Sequence, residues 1–597
     1  MQATTNIEDT LEKYYSNIDI KKLITPLSLS TTRIFFFSPK NMASIFHVTN
    51  TICILIILFS NANSQNHDNN INNNNNENIV FITEILNSNS MYKQSTIKDI
   101  KNLTAINYKD EFYGYAGHYT VPAQHNPNYD NHIYTWYQPC SDCEDETKAP
   151  LLFWLQGGPG GPGWFGAFAE LGNWYIGGNT SDAEPHKRCF SWCAKNNCLF
   201  IDQPVNTGFS FQTDRATGKA VTDVSKVDYT DTSKSAMSQA LSVLLQFYKV
   251  FPELKSNKFI ISGESYGGLY TGNFGYLIMK YNEKLPVDQQ INFKALAVGD
   301  PCINWKTQML TYPNTLYGMG VLMLDERADL LARMQESVKY LDESCPKAFN
   351  IWNQVWDDNG GLGPSQGRGW FARTTGSFNT ENILMGNSPT GWQFMGIFWQ
   401  KQEAAEAFHV ASVPKPSSAE QNALNIYDAF VNSSDWCANS SWTYAELIAN
   451  SEIDLMIYSS TADPLLGPPT TEAGVFSILS ELVVRAPKTG PTIKKTFETT
   501  KKDVWFVDSK HDEDPAGYAK CVSTGTDRRF CYTVVRNAGH EMPGYQPRAS
   551  YDMLDRFLEK REWSTIGDRP VPTCSECSGV GPFAGEALPS CHGGDDE

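Results

Sequence analysis

Near the middle of the chain, Gly263-Glu264-Ser265-Tyr266-Gly267-Gly268 sets a serine between glycines, directly after the apolar run Phe259-Ile260-Ile261. A serine on a sharp strand-to-helix turn is presented as a nucleophile, and the Gly-x-Ser-x-Gly spacing keeps neighbouring side chains away from its hydroxyl. The pentapeptide alone recurs by chance; the strand ahead of it gives it meaning. A serine hydroxyl attacks near neutral pH only with a base beside it. In this arrangement an acid and then a histidine follow the serine along the chain. Of ten histidines, His540 stands out, in Asn537-Ala538-Gly539-His540-Glu541-Met542-Pro543, just after the run Tyr532–Val535. Asp463 lies past the run Leu455–Tyr458, in Ser459-Ser460-Thr461-Ala462-Asp463. Each has a plainer reading, a loop histidine and a turn aspartate before Pro464. The order Ser265, Asp463, His540 favours the catalytic one.

A zinc-protease reading of His540-Glu541 fails. That helical motif needs a second histidine three residues after the glutamate, where Gly544 stands, and Pro543 breaks the helix. A second glycine-rich segment follows the run Leu151–Leu155, as Gln156-Gly157-Gly158-Pro159-Gly160-Gly161-Pro162-Gly163. No Gly-Lys-Ser/Thr follows, which excludes a nucleotide loop. In a hydrolase this position supplies one backbone N–H to an oxyanion hole, and the residue after the nucleophile supplies the other. Gly157 and Tyr266 are the candidates.

The surrounding pattern is α/β. Leu151–Leu155, Cys198–Asp202, Phe259–Ile261, Ala295–Val298 and Leu455–Tyr458 are short apolar runs of the buried-strand kind. Met237, Leu241, Leu244 and Tyr248 fall at helical spacing, and Pro252 ends that helix. Strands alternating with helices imply a mostly parallel sheet. The alternation lapses between Gly299 and Asp454, in a segment rich in tryptophan (Trp305, Trp352, Trp356, Trp370, Trp392, Trp399), which reads as a large insertion or lid. The expected divisions are a dubious extension with signal peptide (1–64), an Asn-rich disordered leader (65–78), a first core part (79–299), the insertion (300–453), a second core part (454–573) and a Cys-containing acidic tail (574–597).

With 66 acidic against 48 basic side chains in 597 residues, the net charge of −18 argues against a nucleic-acid binder. No apolar stretch reaches the ~20 residues of a membrane span. The run Ile52–Phe59 fits a secretory signal core, followed by Ser60-Asn61-Ala62 as a cleavage site, with Met42 as the expected true start. Asn102, Asn179, Asn432 and Asn439 fit the glycosylation triplet. The 14 cysteines include Cys53 in the signal, so an odd number remains, and at least one thiol is free or bonded to another chain. Cys140 and Cys143, and Cys574 and Cys577, read as disulfide cysteines rather than as half zinc sites, given the secretory context, with their pairing left open by the sequence.

These two glycine motifs, Ile201-Asp202-Gln203-Pro204 with Gly208-Phe209-Ser210, and Ala538-Gly539-His540-Glu541 together resemble the serine carboxypeptidase family, from about Tyr115 to Glu559. The resemblance implies an α/β-hydrolase fold, Ser265, Asp463 and His540 as the triad, release of single residues from peptide C-termini through an acyl-enzyme, and an acidic lysosomal, vacuolar or extracellular setting. It also implies a site for the substrate carboxylate at Trp154, Gln156, Glu170 and Glu264. A glutamate beside the nucleophile repels a carboxylate when ionised and donates a hydrogen bond when protonated, so recognition should weaken as pH rises through its titration.

Three departures stand out. Gln156 replaces the usual Asn, Gly161-Pro162-Gly163 replaces Cys-Ser-Ser, and Ser460-Thr461 replace the Gly-Asp ahead of Asp463. The first bears on carboxylate specificity and the last on Asp463. An acyltransferase or esterase on the same scaffold, and a non-catalytic protective or binding partner, are the alternative readings. The expectation includes no metal, no cofactor and no nucleic acid. Peptide or protein C-termini are the expected substrate, and a homodimer is a candidate assembly.

Overall fold

The computed structural model describes residues 79–564, apart from 89–93, 110–111, 178–182, 357–368, 377–378, 386–389 and 509–511. The signal-like run, the Asn-rich leader, Asn179 and the tail with Cys574 and Cys577 lie outside the described residues. The strands are β1 Tyr115–Pro122, β2 Tyr129–Gln138, β3 Leu151–Leu155, β4 Trp174–Gly177, β5 Glu184–Lys187, β6 Asn197–Ile201, β7 Phe211–Asp214, β8 Phe259–Glu264, β9 Phe293–Gly299, β10 Asp454–Ser460, β11 Asp503–Trp505, β12 Gly517–Gly525 and β13 Arg528–Val535. The main sheet runs β1-β2-β6-β3-β8-β9-β10-β13-β12-β11, with β7 on β2. From β6 to β13 every pairing is parallel, and the outer pairs are antiparallel.

Each apolar run anticipated as a strand is one, and both of its faces are buried. Leu151, Phe153 and Leu155 of β3 join one core cluster, whereas Leu152 and Trp154 join the other. In β10, Leu455 and Ile457 face one side and Met456 and Tyr458 the other. Alternation with a period of two, under helices on both faces, is why a central strand reads as continuously apolar. Truncating Phe153 to alanine would cost about 3–5 kcal/mol.

The helix Ser233–Val250 buries Met237, Leu241, Leu244 and Tyr248. Thr232 caps its start by accepting from the Ser235 N–H at 3.2 Å, and Pro252 follows its end. The helix Gly267–Asn282 follows β8 directly. Between β9 and β10 the described residues form helices and loops and no strand. Trp305, Trp352 and Trp436 pack together there, with centroids 5.0–5.6 Å apart, beside the Cys345–Cys437 disulfide. The helix Ala419–Asn432 from this segment reaches the glycine-rich loop after β3, where the Tyr427 hydroxyl donates to the Gly158 carbonyl at 3.0 Å. The side chain of Trp392 lies outside the described residues.

Cys140 and Cys143 are joined by a disulfide, as are Cys193–Cys198 and Cys521–Cys531. Cys302 is a free, buried thiol. Asn102, Asn432 and Asn439 are exposed. Among the described residues no helix is long and apolar enough to cross a membrane.

Candidate active site

The chemistry-bearing residues gather where the parallel strands end. Trp154 and Gln156 close β3, Glu264 and Ser265 close β8, Asp300 follows β9, Asp463 follows β10 and His540 follows β13. Carboxyl ends of adjacent parallel strands are where such sheets place their sites, because the loops there converge. A cleft of about 700 Å³ at the opposite ends of the strands, lined by Lys258, Lys294 and Arg528, contains none of these residues.

Ser265 sits at φ 60°, a left-handed backbone uncommon for a residue with a side chain. Three backbone hydrogen bonds hold it there. Its N–H donates to the Gly299 carbonyl at 3.1 Å, and its carbonyl accepts from Gly268 and Cys302, both at 2.8 Å. A Cβ on Gly267 would stand 2.7 Å from the Leu155 carbonyl oxygen, so the turn requires glycine there. The Tyr266 N–H has no acceptor among the described residues. Gly157 lies against it: a Cβ at position 157 would be 2.9 Å from the Tyr266 nitrogen and 2.7 Å from Cβ of Ser265. The two residues anticipated for an oxyanion hole are therefore side by side at the serine.

Asp463 and His540 are paired and buried. His540 Nδ1 and Asp463 Oδ2 are 2.7 Å apart, and Asp463 Oδ1 accepts from the N–H groups of Leu465 at 2.7 Å and Leu466 at 3.0 Å. The His540 N–H donates to the Glu381 carbonyl at 2.7 Å, and the Ala462 N–H donates to the Ala538 carbonyl at 2.8 Å, which ties the two loops together. Burial disfavours the imidazolium, but the adjacent Asp463 carboxylate outweighs it and holds His540 above its ordinary range. Asp300, Asp463 and His540 present ligand-type atoms within 4.8 Å of one another, and both carboxyl groups and the Nδ1 nitrogen are already committed to hydrogen bonds. No hydrogen bond joins the Ser265 hydroxyl to His540 among the described residues; unliganded active sites commonly show this contact long.

A second buried cluster adjoins the serine. The Trp154 Nε1–H donates to Gln156 Oε1 at 2.7 Å, and Gln156 Nε2 donates to Oε1 of Glu170 and Oε1 of Glu264, both at 3.1 Å. The longer side chain of Gln156 thus spans both glutamates, and the departure from Asn does not break the network. Gly161 explains how it fits. A Cβ there would come within 2.8 Å of Gln156 Cγ, so the residue that replaces the family's cysteine makes room for the extra methylene.

Burial, the neighbouring Glu170 and Glu541 carboxyls and, more weakly, Asp300 push Glu264 well above the usual carboxyl range. Burial also raises Glu170, against the pull of Glu264, Gln156, His540 and Arg188. Both shifts favour the protonated form of these carboxyls. Among the described residues no amide, hydroxyl or cationic donor reaches Oε2 of either glutamate, nor either oxygen of buried Glu541.

Sequence reasoning missed Glu541, although it adjoins His540, and Asp300, whose signal is an acid directly after a core strand. It also missed Asp435 of the helical segment, which accepts from the Tyr266 hydroxyl at 2.7 Å and anchors that side chain beside the serine.

A family model for serine carboxypeptidases matches residues 105–560. Among curated proteins, the chain is 30% identical over 451 residues to "Probable serine carboxypeptidase CPVL" of Rattus norvegicus, covering 75% of this chain and 83% of that one. It is 29% identical over 490 residues to "Venom serine carboxypeptidase" of Apis mellifera, covering 81% and 91%. Among solved structures, KEX1(DELTA)P, a prohormone-processing carboxypeptidase from Saccharomyces cerevisiae, superposes with a TM-score of 0.59 at 20% identity, covering 77% of this chain and 96% of that one. The fold is that of the α/β-hydrolases.

Proposed function

The chain belongs to the serine carboxypeptidase family, and from that premise we propose that it removes single residues from peptide C-termini with Ser265, His540 and Asp463 as its hydrolytic set. The observation that carries this reading is the buried Glu170–Gln156–Glu264 cluster directly beside the serine. A protonated carboxyl pair with unused oxygens, organised by one amide, is suited to receive another carboxylate, that of a peptide terminus.

On this reading the Ser265 hydroxyl oxygen attacks the last peptide carbonyl while His540 Nε2 takes its proton. Asp463 holds the tautomer and supports the imidazolium. The N–H groups of Gly157 and Tyr266 receive the developing oxyanion. His540 then passes the proton to the departing amine, leaving an acyl-enzyme. Water, deprotonated by the same imidazole, attacks that ester, releases the shortened peptide and restores Ser265. The steps require no metal or cofactor.

Two titrations act on different constants. The imidazole must be neutral to accept the serine proton, so its ionisation sets the acid limb of kcat. The glutamates must be protonated to receive a carboxylate, so their ionisation raises KM as pH rises. The preference for acid therefore resides in KM. Because Asp463 holds the imidazole up, the loss of kcat in acid opposes the gain in KM; passage through the secretory pathway agrees with the disulfides and the exposed Asn102, Asn432 and Asn439. The contact of Gln156 with both glutamates supports carboxylate recognition over an acyltransferase role.

The test is hydrolysis of a blocked dipeptide beside its C-terminally amidated twin, with Ser265→Ala as control. Release of the C-terminal residue from the free acid in preference to the amide, abolished in the variant, supports the reading. Equal or faster cleavage of the amide would move the assignment to an esterase or acyltransferase. No turnover of either by folded protein would favour a binding role.

A further inference from the structure

The segment ahead of Asp463 departs from the family pattern at Ser460, the last residue of β10, and at Thr461, and Ser459 precedes them in the strand. Ser459 and Ser460 are fully buried, and buried hydroxyls are costly unless they find partners. Both find the same one. Oδ1 of Asp300 accepts from the Ser459 hydroxyl and the Ser460 N–H, each at 2.9 Å, and Oδ2 lies 2.8 Å from the Ser460 hydroxyl.

Asp300 is itself held rigidly. It stands at φ 39°, and its N–H donates to the Tyr458 carbonyl at 2.9 Å. The residues on either side grip the serine turn, with the Gly299 carbonyl accepting from the Ser265 N–H at 3.1 Å and the Cys302 N–H donating to the Ser265 carbonyl at 2.8 Å. One short turn is thus bonded on one side to the nucleophile and on the other to the loop that carries the acid.

We propose that Asp300 is a positioning residue of this centre: a buried acid that fixes the Ser459–Asp463 segment and so the aim of the Asp463 carboxylate at His540. It rests on the reading of Ser265, Asp463 and His540 given above. Two carboxyls this close in a buried site do not both ionise at little cost. Asp463 has the stronger claim to the charge, because it accepts from two backbone N–H groups and pairs with the imidazole. Asp300 faces hydroxyls and one N–H, and the Ser460 hydroxyl can accept its proton as readily as donate. Burial and the Asp463 charge push Asp300 well above the carboxyl range, against the pull of His540 and Ser460. The other titratable groups around it, Glu264 from β8, Tyr458 from β10 and Tyr532 from β13, are raised too and stay neutral in acid.

Steady-state kinetics on the blocked dipeptide, with thermal melting to monitor folding, test this. Asp300→Ala should lower kcat by about a hundredfold and leave KM within about twofold, since the loss falls on the aim of the base and not on substrate binding. Asp300→Asn, whose amide can donate to the Ser460 hydroxyl as the protonated acid does, should recover kcat to within about threefold with the acid limb unmoved. Ser460→Ala should lower kcat by about tenfold. Wild-type kcat in folded Asp300→Ala, or a loss confined to KM, would overturn the proposal. So would an Asn variant as impaired as Ala, or one whose acid limb shifts by more than about half a unit. If Asp300→Ala does not fold, Asp300→Asn and Ser460→Ala decide by the same criteria. Turnover persisting in Ser265→Ala would instead retire the underlying reading, a distinct failure.

Discussion

Two buried carboxyl clusters flank Ser265, and they differ in how their oxygens are used. Around Asp463 and Asp300 every carboxyl oxygen has a partner: backbone N–H groups, serine hydroxyls or the imidazole. Around Glu170, Glu264 and Glu541, four oxygens have no amide, hydroxyl or cationic donor among the described residues. Burial without a partner is expensive, and the cost is reduced by keeping a proton. The first cluster is closed and suited to holding one geometry through the reaction. The second is open and suited to a visiting group that brings its own hydrogen-bonding partner. On this account the first governs kcat and the second KM.

The sharpest way to break that division is Asp463→Asn, which keeps the shape of the closed cluster but removes its charge. It should lower kcat by on the order of 10⁴ with KM little changed, measured on the blocked dipeptide. Gln156→Leu attacks the open cluster instead. By stranding both glutamates it should raise KM for the free acid by about 10–100-fold, and leave cleavage of the amidated twin nearly as it was. An equal loss on both substrates would mean that Gln156 serves the serine rather than the carboxylate. Gly161→Ala is a gentler version, pushing on Gln156 Cγ and on the Gly157 carbonyl oxygen. It should raise KM by about five- to tenfold, as overpacking of a buried site does.

The smallest effect is on stability. Glu170, Glu264, Glu541 and Asp300 are all raised in the folded protein, and burial raises Asp202 to about 7. The folded chain therefore holds protons that the unfolded chain releases above about pH 4. Their contribution is complete below that point and is lost as pH rises through the folded values. The melting temperature should fall by about 5 °C between pH 5 and pH 8. An increase over that range would mean that these acids are ionised in the fold.

The central strands and the serine turn were legible because their signals are local: apolar runs bounded by glycine and proline, and a helix whose four spaced residues are all buried. Asp463 and His540 were legible through their order and their places after strands. What escaped depends on distant parts of the chain meeting. Gln156 looked misplaced because the space left by Gly161, five residues on, is invisible without coordinates. Ser460 looked like damage to the acid loop because its partner, Asp300, lies 160 positions away. Both departures are matched by a compensating residue, and such pairs are read only in three dimensions.

The most direct test of the division between the clusters is the pH dependence of KM and kcat on the blocked dipeptide, for the wild type and for Glu264→Gln, from about pH 4 to 8. The account predicts that wild-type KM climbs with pH while kcat does not fall, and that Glu264→Gln, which cannot ionise at that position, flattens the climb. A wild-type KM that stays level across the range would contradict it.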